Sequence, residues 1–72
     1  MEILRTMGTR LSSLRKQNGL TQKNMAEILD CTPSNYQKIE YGQINIPATT
    51  VAFLADYFNV SADYLLGRTD EF

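Results

Sequence analysis

The chain has 72 residues and a formal net charge of −1, and 43% of its residues are hydrophobic. This length allows a single domain with a small core, for which dimerisation would be an unsurprising source of added stability. No apolar run is long enough to span a membrane. The sequence also has no histidine and only one cysteine, which excludes an internal disulfide and argues against a metal centre, a cofactor site or an enzyme.

The charge is unevenly distributed along the chain. Residues 1–38 carry six basic and three acidic residues, whereas residues 39–72 carry one basic and five acidic residues. Such an asymmetry is typical of a protein with one half facing nucleic acid. Because six basic residues are few, we expect modest non-specific affinity and a shallow dependence of binding on salt.

The first predicted helix covers residues 3–17. Its apolar residues recur at intervals of three and four, the spacing of one helix face: Leu4, Met7, Leu11 and Leu14. Gly8 is a weak helix former inside this stretch, and Asn18-Gly19 ends it. The basic side chains of Arg10, Arg15 and Lys16 are candidates for phosphate contacts or for plain solvated charge.

Residues 21–41 predict two short helices separated by a tight turn. Thr21 is a good N-cap for a helix over residues 22–29, whose apolar face includes Met25, Ala26 and Leu29. Asp30 tolerates the left-handed backbone that a tight turn requires, and Cys31 is interpreted as a small apolar residue at the junction.

The second helix of this pair is predicted to cover residues 33–41. Thr32 is its N-cap and Pro33 its first residue, while Gly42 ends it. Tyr36 and Ile39 give it a buried face. The spacing leaves mainly hydrogen-bonding residues on the opposite face: Pro33, Ser34, Gln37, Lys38 and Tyr41. A helix that presents such a face, with another helix across its back, has the geometry of a helix-turn-helix.

The remaining chain predicts a loop, two helices and a tail. The loop ends at Pro47, and a helix covers residues 48–58. Ser61 caps a short fifth helix that extends to residue 66, and residues 68–72 form a frayed tail. This half has more apolar surface than so small a domain easily buries. It is therefore either core or a two-fold dimer interface, with these candidate interface residues: Tyr57, Tyr64 and Leu65.

The sequence resembles the Cro/C1-type (XRE-type) helix-turn-helix regulators over almost its whole length. No single residue is specific, but many match in register: Arg10, Leu11, Leu14, Arg15, Gly19, Leu20, Thr21, Gln22, Ala26, Leu29, Ile39, Glu40, Gly42, Pro47, Leu54, Ala55, Phe58, Val60, Ser61 and residues 63–67. The resemblance implies an all-α, compact, five-helix λ-repressor-like domain. We expect one domain over residues 1–72, with its core at about 10–67 and the helix-turn-helix at about 21–41.

The resemblance also implies roles for individual residues. Arg15 would form a partly buried ion pair with Glu40. The base-reading positions would be Pro33, Ser34 and Lys38, flanked by Asn35 and Gln37. By the same resemblance Gln22, Gln43 and Asn45 would contact phosphates. Residue chemistry adds these candidates for phosphate contacts: Lys23, Thr32, Tyr41 and Arg10. An exposed polar first turn is the alternative for Gln22 and Lys23. Turn chemistry is an equally good account of Gln43 and Asn45, packing is an alternative for Tyr41, and Gln22 would also brace the recognition helix.

Three residues depart from the family pattern. Asp30 and Cys31 stand where glycine and valine are usual, and Pro33 stands where a polar residue is usual. Pro33 cannot donate a hydrogen bond to a base, so it either presets the helix start or packs against a thymine methyl group.

The predicted function is therefore a sequence-specific regulator of transcription. We expect a cytoplasmic repressor of phage or bacterial origin that binds a palindromic double-stranded DNA operator as a homodimer, without a small-molecule ligand or a membrane. The sequence does not distinguish such a repressor from an antitoxin or a restriction–modification controller. The alternative from another class is a helical protein-interaction module with weak or no DNA binding, which the acidic pI, Asp30 and Pro33 favour.

Overall fold

Helix periodicity and capping residues determine where each element begins and ends. A computed structural model describes residues 2–72, and within them it contains five helices and no strand. The helices are α1 (Glu2–Gln17), α2 (Gln22–Ile28), α3 (Pro33–Glu40), α4 (Ala48–Phe58) and α5 (Ala62–Leu65). The bounds agree with the predicted ones to within one residue at each end, and the all-α fold class is confirmed.

Side-chain caps begin three of the five helices. The hydroxyls of Thr21, Thr32 and Ser61 each accept a hydrogen bond from the backbone N–H three residues later, at 3.0, 3.1 and 2.9 Å respectively. The side chain of Asn24 also accepts from the backbone N–H of Thr21, which completes a reciprocal capping box. These bonds satisfy amide groups that a helix start would otherwise leave without partners.

The core is built around α1, which packs against α3 and α5. The largest fully buried side chains come from all five helices: Met7, Leu11, Met25, Tyr36, Leu54 and Leu65. The burial of Tyr36 agrees with its predicted place in the core. Leu65 was a candidate for the dimer surface, and that prediction is wrong, because its side chain is 0% exposed.

Two glycines let the backbone of α1 approach the end of α3 closely. A Cβ atom at Gly8 would lie 2.3 Å from the carbonyl oxygen of Glu40 and 2.7 Å from that of Ile39. A Cβ atom at Gly42, directly after α3, would lie 2.8 Å from the Cα atom of Arg5. Gly8 is therefore a helix–helix contact rather than a weak point of α1, and the two contacts fix how α1 lies beside α3.

Contacts with α1 hold the C-terminal residues in place. They correct the prediction that residues 68–72 form a frayed tail. Arg10 donates hydrogen bonds to the carbonyl oxygens of Tyr64 and Thr69, both at 2.6 Å. Its guanidinium also lies 4.2 Å from the centre of the Tyr64 ring, within cation–π range. The ring of Phe72 also packs against the ring of Tyr64, with their centres 4.8 Å apart.

Candidate nucleic-acid interface

The turn between α2 and α3 is tight and uses a left-handed residue. Asp30 adopts φ 55°, as predicted for this position, and the backbone N–H of Cys31 donates to the carbonyl oxygen of Ala26 at 2.9 Å. Cys31 is half-buried against the core, and Ala26 is buried where α2 and α3 pack together. The turn thus places α3 across α2 in a helix-turn-helix arrangement.

The outer face of α3 is polar and open to solvent. Its exposed residues are Pro33, Ser34, Asn35, Gln37 and Lys38, and Tyr41 follows at the C-cap with 59% of its surface exposed. Within residues 2–72, the one side-chain to side-chain hydrogen bond on this face runs from Gln37 Nε2 to the Tyr41 hydroxyl, at 3.1 Å. The remaining side chains keep their donors and acceptors free for a partner.

A buried ion pair holds α3 against α1. Arg15 Nε donates to Glu40 Oε2 at 2.6 Å, and its Nη2 donates to Oε1 at 3.2 Å, so the contact is bidentate. Gln22 Nε2 donates to the same carboxylate at 3.1 Å from the start of α2. The remaining nitrogen of Arg15 donates to the carbonyl oxygen of Leu20 at 2.9 Å. The pair implied by the family resemblance is therefore present, and it links three helices.

The surroundings of this pair favour its charged form. Burial alone would raise the pKa of the Glu40 carboxyl, but the hydrogen bond from Arg15, with smaller contributions from Tyr36 and Gln22, outweighs burial and lowers the pKa below its ordinary value. The hydrogen bond to Glu40 likewise raises the pKa of Arg15. Both residues thus remain ionised at neutral pH, although each is at most 9% exposed.

Tyr36 lies beside the ion pair, and its buried hydroxyl is unusual in its hydrogen bonding. The residue is 0% exposed, and its hydroxyl has no hydrogen-bond partner within residues 2–72. Burial raises the pKa of the phenol, and the Glu40 carboxylate raises it further. The hydroxyl therefore lies near enough to the Glu40 carboxylate to help lower its pKa, although it does not meet hydrogen-bond geometry.

Replacing Tyr36 with phenylalanine tests this arrangement. A buried polar group without a partner costs about 1–3 kcal/mol in desolvation. Tyr36→Phe is therefore expected to leave the free energy of unfolding unchanged or to raise it by up to about 2 kcal/mol, as measured by urea denaturation. A loss of about 1.5–3 kcal/mol, the usual contribution of a hydrogen bond to a charged group, would instead show that the hydroxyl bonds to Glu40 in solution.

The predicted phosphate-contacting residues occupy different situations. Lys23 and Gln43 are exposed, whereas Gln22 is half-buried and bonded to Glu40, the bracing role that the resemblance implied. Asn45 Oδ1 accepts from the backbone N–H of Ile46 at 2.9 Å, which favours turn chemistry. Thr32 caps α3 but stays exposed.

Arg10 does not fit the predicted phosphate-contacting role. Its guanidinium is bonded to the C-terminal segment, including Asp70 at 2.8 Å, and its side chain is 19% exposed. No local pattern indicates these contacts of Arg10, because two of the acceptors are main-chain carbonyl groups more than 50 residues away.

A family model described as a helix-turn-helix domain matches residues 8–71. The chain belongs to the helix-turn-helix domain family. The matched region includes all of α2 to α5 and most of α1.

Bacterial transcriptional regulators of the helix-turn-helix type are similar in sequence to this chain. The HTH-type transcriptional regulator ImmR of Bacillus subtilis is 35% identical over 65 residues, which cover 90% of this chain and 51% of ImmR. The SPbeta prophage-derived HTH-type regulator YonR of the same species is 36% identical over 62 residues, which cover 86% of this chain and 57% of YonR. The chain thus spans about half the length of these curated relatives.

Solved structures of small DNA-binding regulators have the same fold. The restriction-modification controller protein C.AhdI from Aeromonas hydrophila superimposes with a TM-score of 0.75 at 28% identity, over 90% of this chain and 98% of that one. The S. venezulae BldD DNA-binding domain superimposes with a TM-score of 0.73 at 25% identity, over 92% of this chain and 99% of that one. The resemblance to Cro/C1-type regulators is confirmed, and the family is one of transcriptional regulators rather than enzymes.

The described helices are short. None of those within residues 2–72 is long and apolar enough to cross a membrane.

Proposed function

We propose that this helix-turn-helix chain is a repressor that binds a palindromic operator in double-stranded DNA as a homodimer in the cytoplasm. The observation that supports the proposal most directly is the outer face of α3. It is exposed, it carries hydrogen-bonding side chains, and a buried ion pair fixes the helix that presents it. Such a helix fits the major groove of B-DNA, which is wide enough to admit an α-helix.

Base reading is proposed for the first two turns of α3. Ser34 and Lys38 lie one turn apart on the exposed face, and the lysine ammonium suits the O6 and N7 acceptors of guanine. Gln37 and Asn35 flank them with amide groups that can read adenine. Pro33 begins the helix, which supports its role in presetting the helix start more than a contact with a thymine methyl group.

Phosphate contacts are proposed around this helix. Lys23 lies in the first turn of α2, where free N–H groups and the positive end of the helix dipole favour anions. Thr32, Tyr41 and Gln43 are exposed at the two ends of α3, where they would meet the sugar–phosphate backbone on either side of the groove. Gln22 would add a contact only through the atoms that its bond to Glu40 leaves free.

Dimerisation is proposed through α4. Phe53 and Tyr57 are 46% and 47% exposed, and their rings lie 6.0 Å apart on one face of that helix. Exposed aromatic surface of this kind marks interaction sites, and a two-fold axis would place the same face of two copies together. Tyr64 is a weaker candidate, because Arg10 and Phe72 already pack on its ring. In such a dimer, two α3 helices about 34 Å apart would match one turn of B-DNA.

Selection of bound sites from random duplex DNA tests the proposal. The wild-type chain is expected to recover a palindrome with half-sites about 10 base pairs apart. Lys38→Ala is expected to weaken binding to that site by about 1–3 kcal/mol and to relax the preference at one position of each half-site, because a base contact carries that much discrimination. Ser34→Ala should relax a neighbouring position.

Arg68→Ala is the matched control, because it removes a basic side chain that lies outside the helix-turn-helix and pairs with Asp63. It should leave the recovered site unchanged. If no duplex DNA is retained at low salt, or if Lys38→Ala is silent, a protein-interaction module is the better account of the fold.

A further inference from the structure

The basic residues divide into paired and unpaired groups. In the described part of the chain, Arg10, Arg15 and Arg68 each form an ion pair with a carboxylate. No ion pair within residues 2–72 involves the other four: Arg5, Lys16, Lys23 and Lys38. Lys23 and Lys38 belong to the helix-turn-helix. Arg5 and Lys16 lie on α1, outside it, and the proposed function does not account for them.

These two residues lie at opposite ends of a polar face of α1. The residues between them on this face all carry hydroxyl groups: Thr9, Ser12 and Ser13. Their spacing of three and four residues places them along one side of the helix. We call the five residues together the α1 strip. The Thr9 hydroxyl donates to the carbonyl oxygen of Arg5 at 3.0 Å, and Gln17 donates to Ser13 at 3.1 Å, so the Ser13 hydroxyl can still donate outward.

Four residues of the α1 strip, all except Arg5, form one wall of a groove whose other wall is the end of α3. The groove has a volume of about 400 Å³, and the residues that line it are Thr9, Ser12, Ser13, Lys16, Glu40 and Tyr41. Tyr41 also belongs to the outer face of α3, where Gln37 bonds to its hydroxyl. A ligand that covers the face of α3 would therefore reach the groove as soon as it extends past Tyr41.

The charges along this groove favour an anion. Glu40 contributes a carboxylate, but both of its oxygens accept hydrogen bonds from Arg15, and one accepts a further bond from Gln22. Its charge is thereby compensated within the protein. The uncompensated charge in the groove is the ammonium group of Lys16, which is exposed. Hydroxyl groups beside a cation are typical ligands of DNA phosphates.

The geometry of the strip is fixed relative to α3. The backbone contacts at Gly8 and Gly42 leave no room for a side chain between α1 and the end of α3, and the Arg15–Glu40 pair joins the same two helices. A rigid surface of this kind loses little conformational entropy when it binds a rigid partner. The strip can therefore act with α3 as one binding surface.

We propose that the α1 strip binds the phosphate backbone of DNA that flanks the bases read by α3, with Lys16 as its main charge and Arg5 as a second one. This inference rests on the proposed function, since it adds a sequence-independent contact to the same complex. It assigns to α1 a part of the DNA interface in place of the phosphate contact predicted for Arg10.

The dependence of DNA binding on salt tests the proposal. Each neutralised phosphate contributes about −0.9 to the slope of log K against log salt concentration. Lys16→Gln is therefore expected to make the slope shallower by about 0.9 and to weaken binding to selected and unrelated duplexes by the same factor. The double variant Lys16→Gln, Arg5→Gln should make it shallower by about 1.8. Circular dichroism would verify that both variants are folded.

Two control variants separate this inference from the proposed function. Arg68→Gln lies outside the strip and should leave the slope unchanged, whereas Lys38→Gln should alter the preferred site. If Lys16→Gln leaves the slope unchanged while Lys38→Gln alters the preferred DNA site, the proposed role of the α1 strip is overturned and the proposed function stands. If Lys16→Gln changes base preference instead, the strip is also overturned, because it would then read bases. If the wild type binds no duplex DNA, both proposals fail.

Discussion

Replacing Glu40 with alanine is expected to lower the free energy of unfolding by about 3–5 kcal/mol, the usual cost of removing one partner from a buried ion pair. The physical reason is the charge left behind. Arg15 stays ionised with only 11% of its side chain exposed, and water cannot replace the bidentate carboxylate. A domain of this size has a total stability of roughly 4–11 kcal/mol, so this loss would remove a large part of it. Urea denaturation followed by circular dichroism measures the change.

Two variants control for this result. Asp63→Ala also removes a carboxylate that pairs with an arginine, but the Asp63–Arg68 contact is 3.6 Å long and both side chains are mostly exposed. Its loss should cost at most about 1 kcal/mol. Glu40→Gln keeps the shape of the side chain and an acceptor oxygen but removes the charge. Its loss of unfolding free energy should therefore lie between those of Glu40→Ala and Asp63→Ala. A value for Glu40→Ala as small as that for Asp63→Ala would contradict the structural role of the pair.

The pH dependence of the same pair gives a second readout. Because the pKa of Glu40 is lowered in the folded state, the unfolded state binds its proton more tightly, and stability falls as pH decreases. The contribution of the pair is complete above the ordinary pKa of about 4.5 and is lost as pH falls through the lower folded value. The stability difference between the wild type and Glu40→Gln should therefore shrink below about pH 4.5. A difference that stays constant from pH 7 to about pH 3 would exclude this linkage.

Local chemistry explains which parts of the fold the sequence predicted well. Thr21, Thr32 and Ser61 cap the helices that follow them, and each cap depends on residues no more than three positions apart. The left-handed turn at Asp30 is likewise set by that residue and its neighbours. The Arg15–Glu40 pair joins residues 25 positions apart. Only the resemblance to a known family predicted it, since periodicity alone does not pair residues on different helices.

The features that the sequence did not predict depend on long-range contacts or lie in an element too short to show a periodicity. The sequence pattern does not distinguish Arg10 from an exposed basic residue, because its acceptor, the carbonyl group of Thr69, is distant in the chain and becomes a neighbour only in the folded state. Leu65 could not be distinguished from a surface residue, because a helix of four residues is too short to show which face is buried. The Gly8 contact depends on where α3 ends. The base-reading residues remain predictions, since their partner is another molecule.

Substitution of Gly42 by alanine is expected to destabilise the domain by about 2–5 kcal/mol, of which a part is conformational and a part is steric. Gly42 has φ 72°, in the left-handed region where a Cβ atom costs about 1–2 kcal/mol. The same atom would lie 2.8 Å from Cα and 2.9 Å from N of Arg5. These are backbone atoms that cannot rotate away, so α1 must shift, at a further cost of about 1–3 kcal/mol.

Gly19 is a matched control that isolates the steric part. Its φ of 68° is nearly that of Gly42, and a Cβ atom there would have nothing within 4 Å. Gly19→Ala should therefore show the conformational cost alone, and urea denaturation of both variants gives the steric cost by difference. Equal losses would mean that α1 yields to the added methyl group without strain, and the α1 strip and α3 would then not form one rigid surface. A larger loss for Gly42→Ala supports the close contact that fixes the strip beside α3.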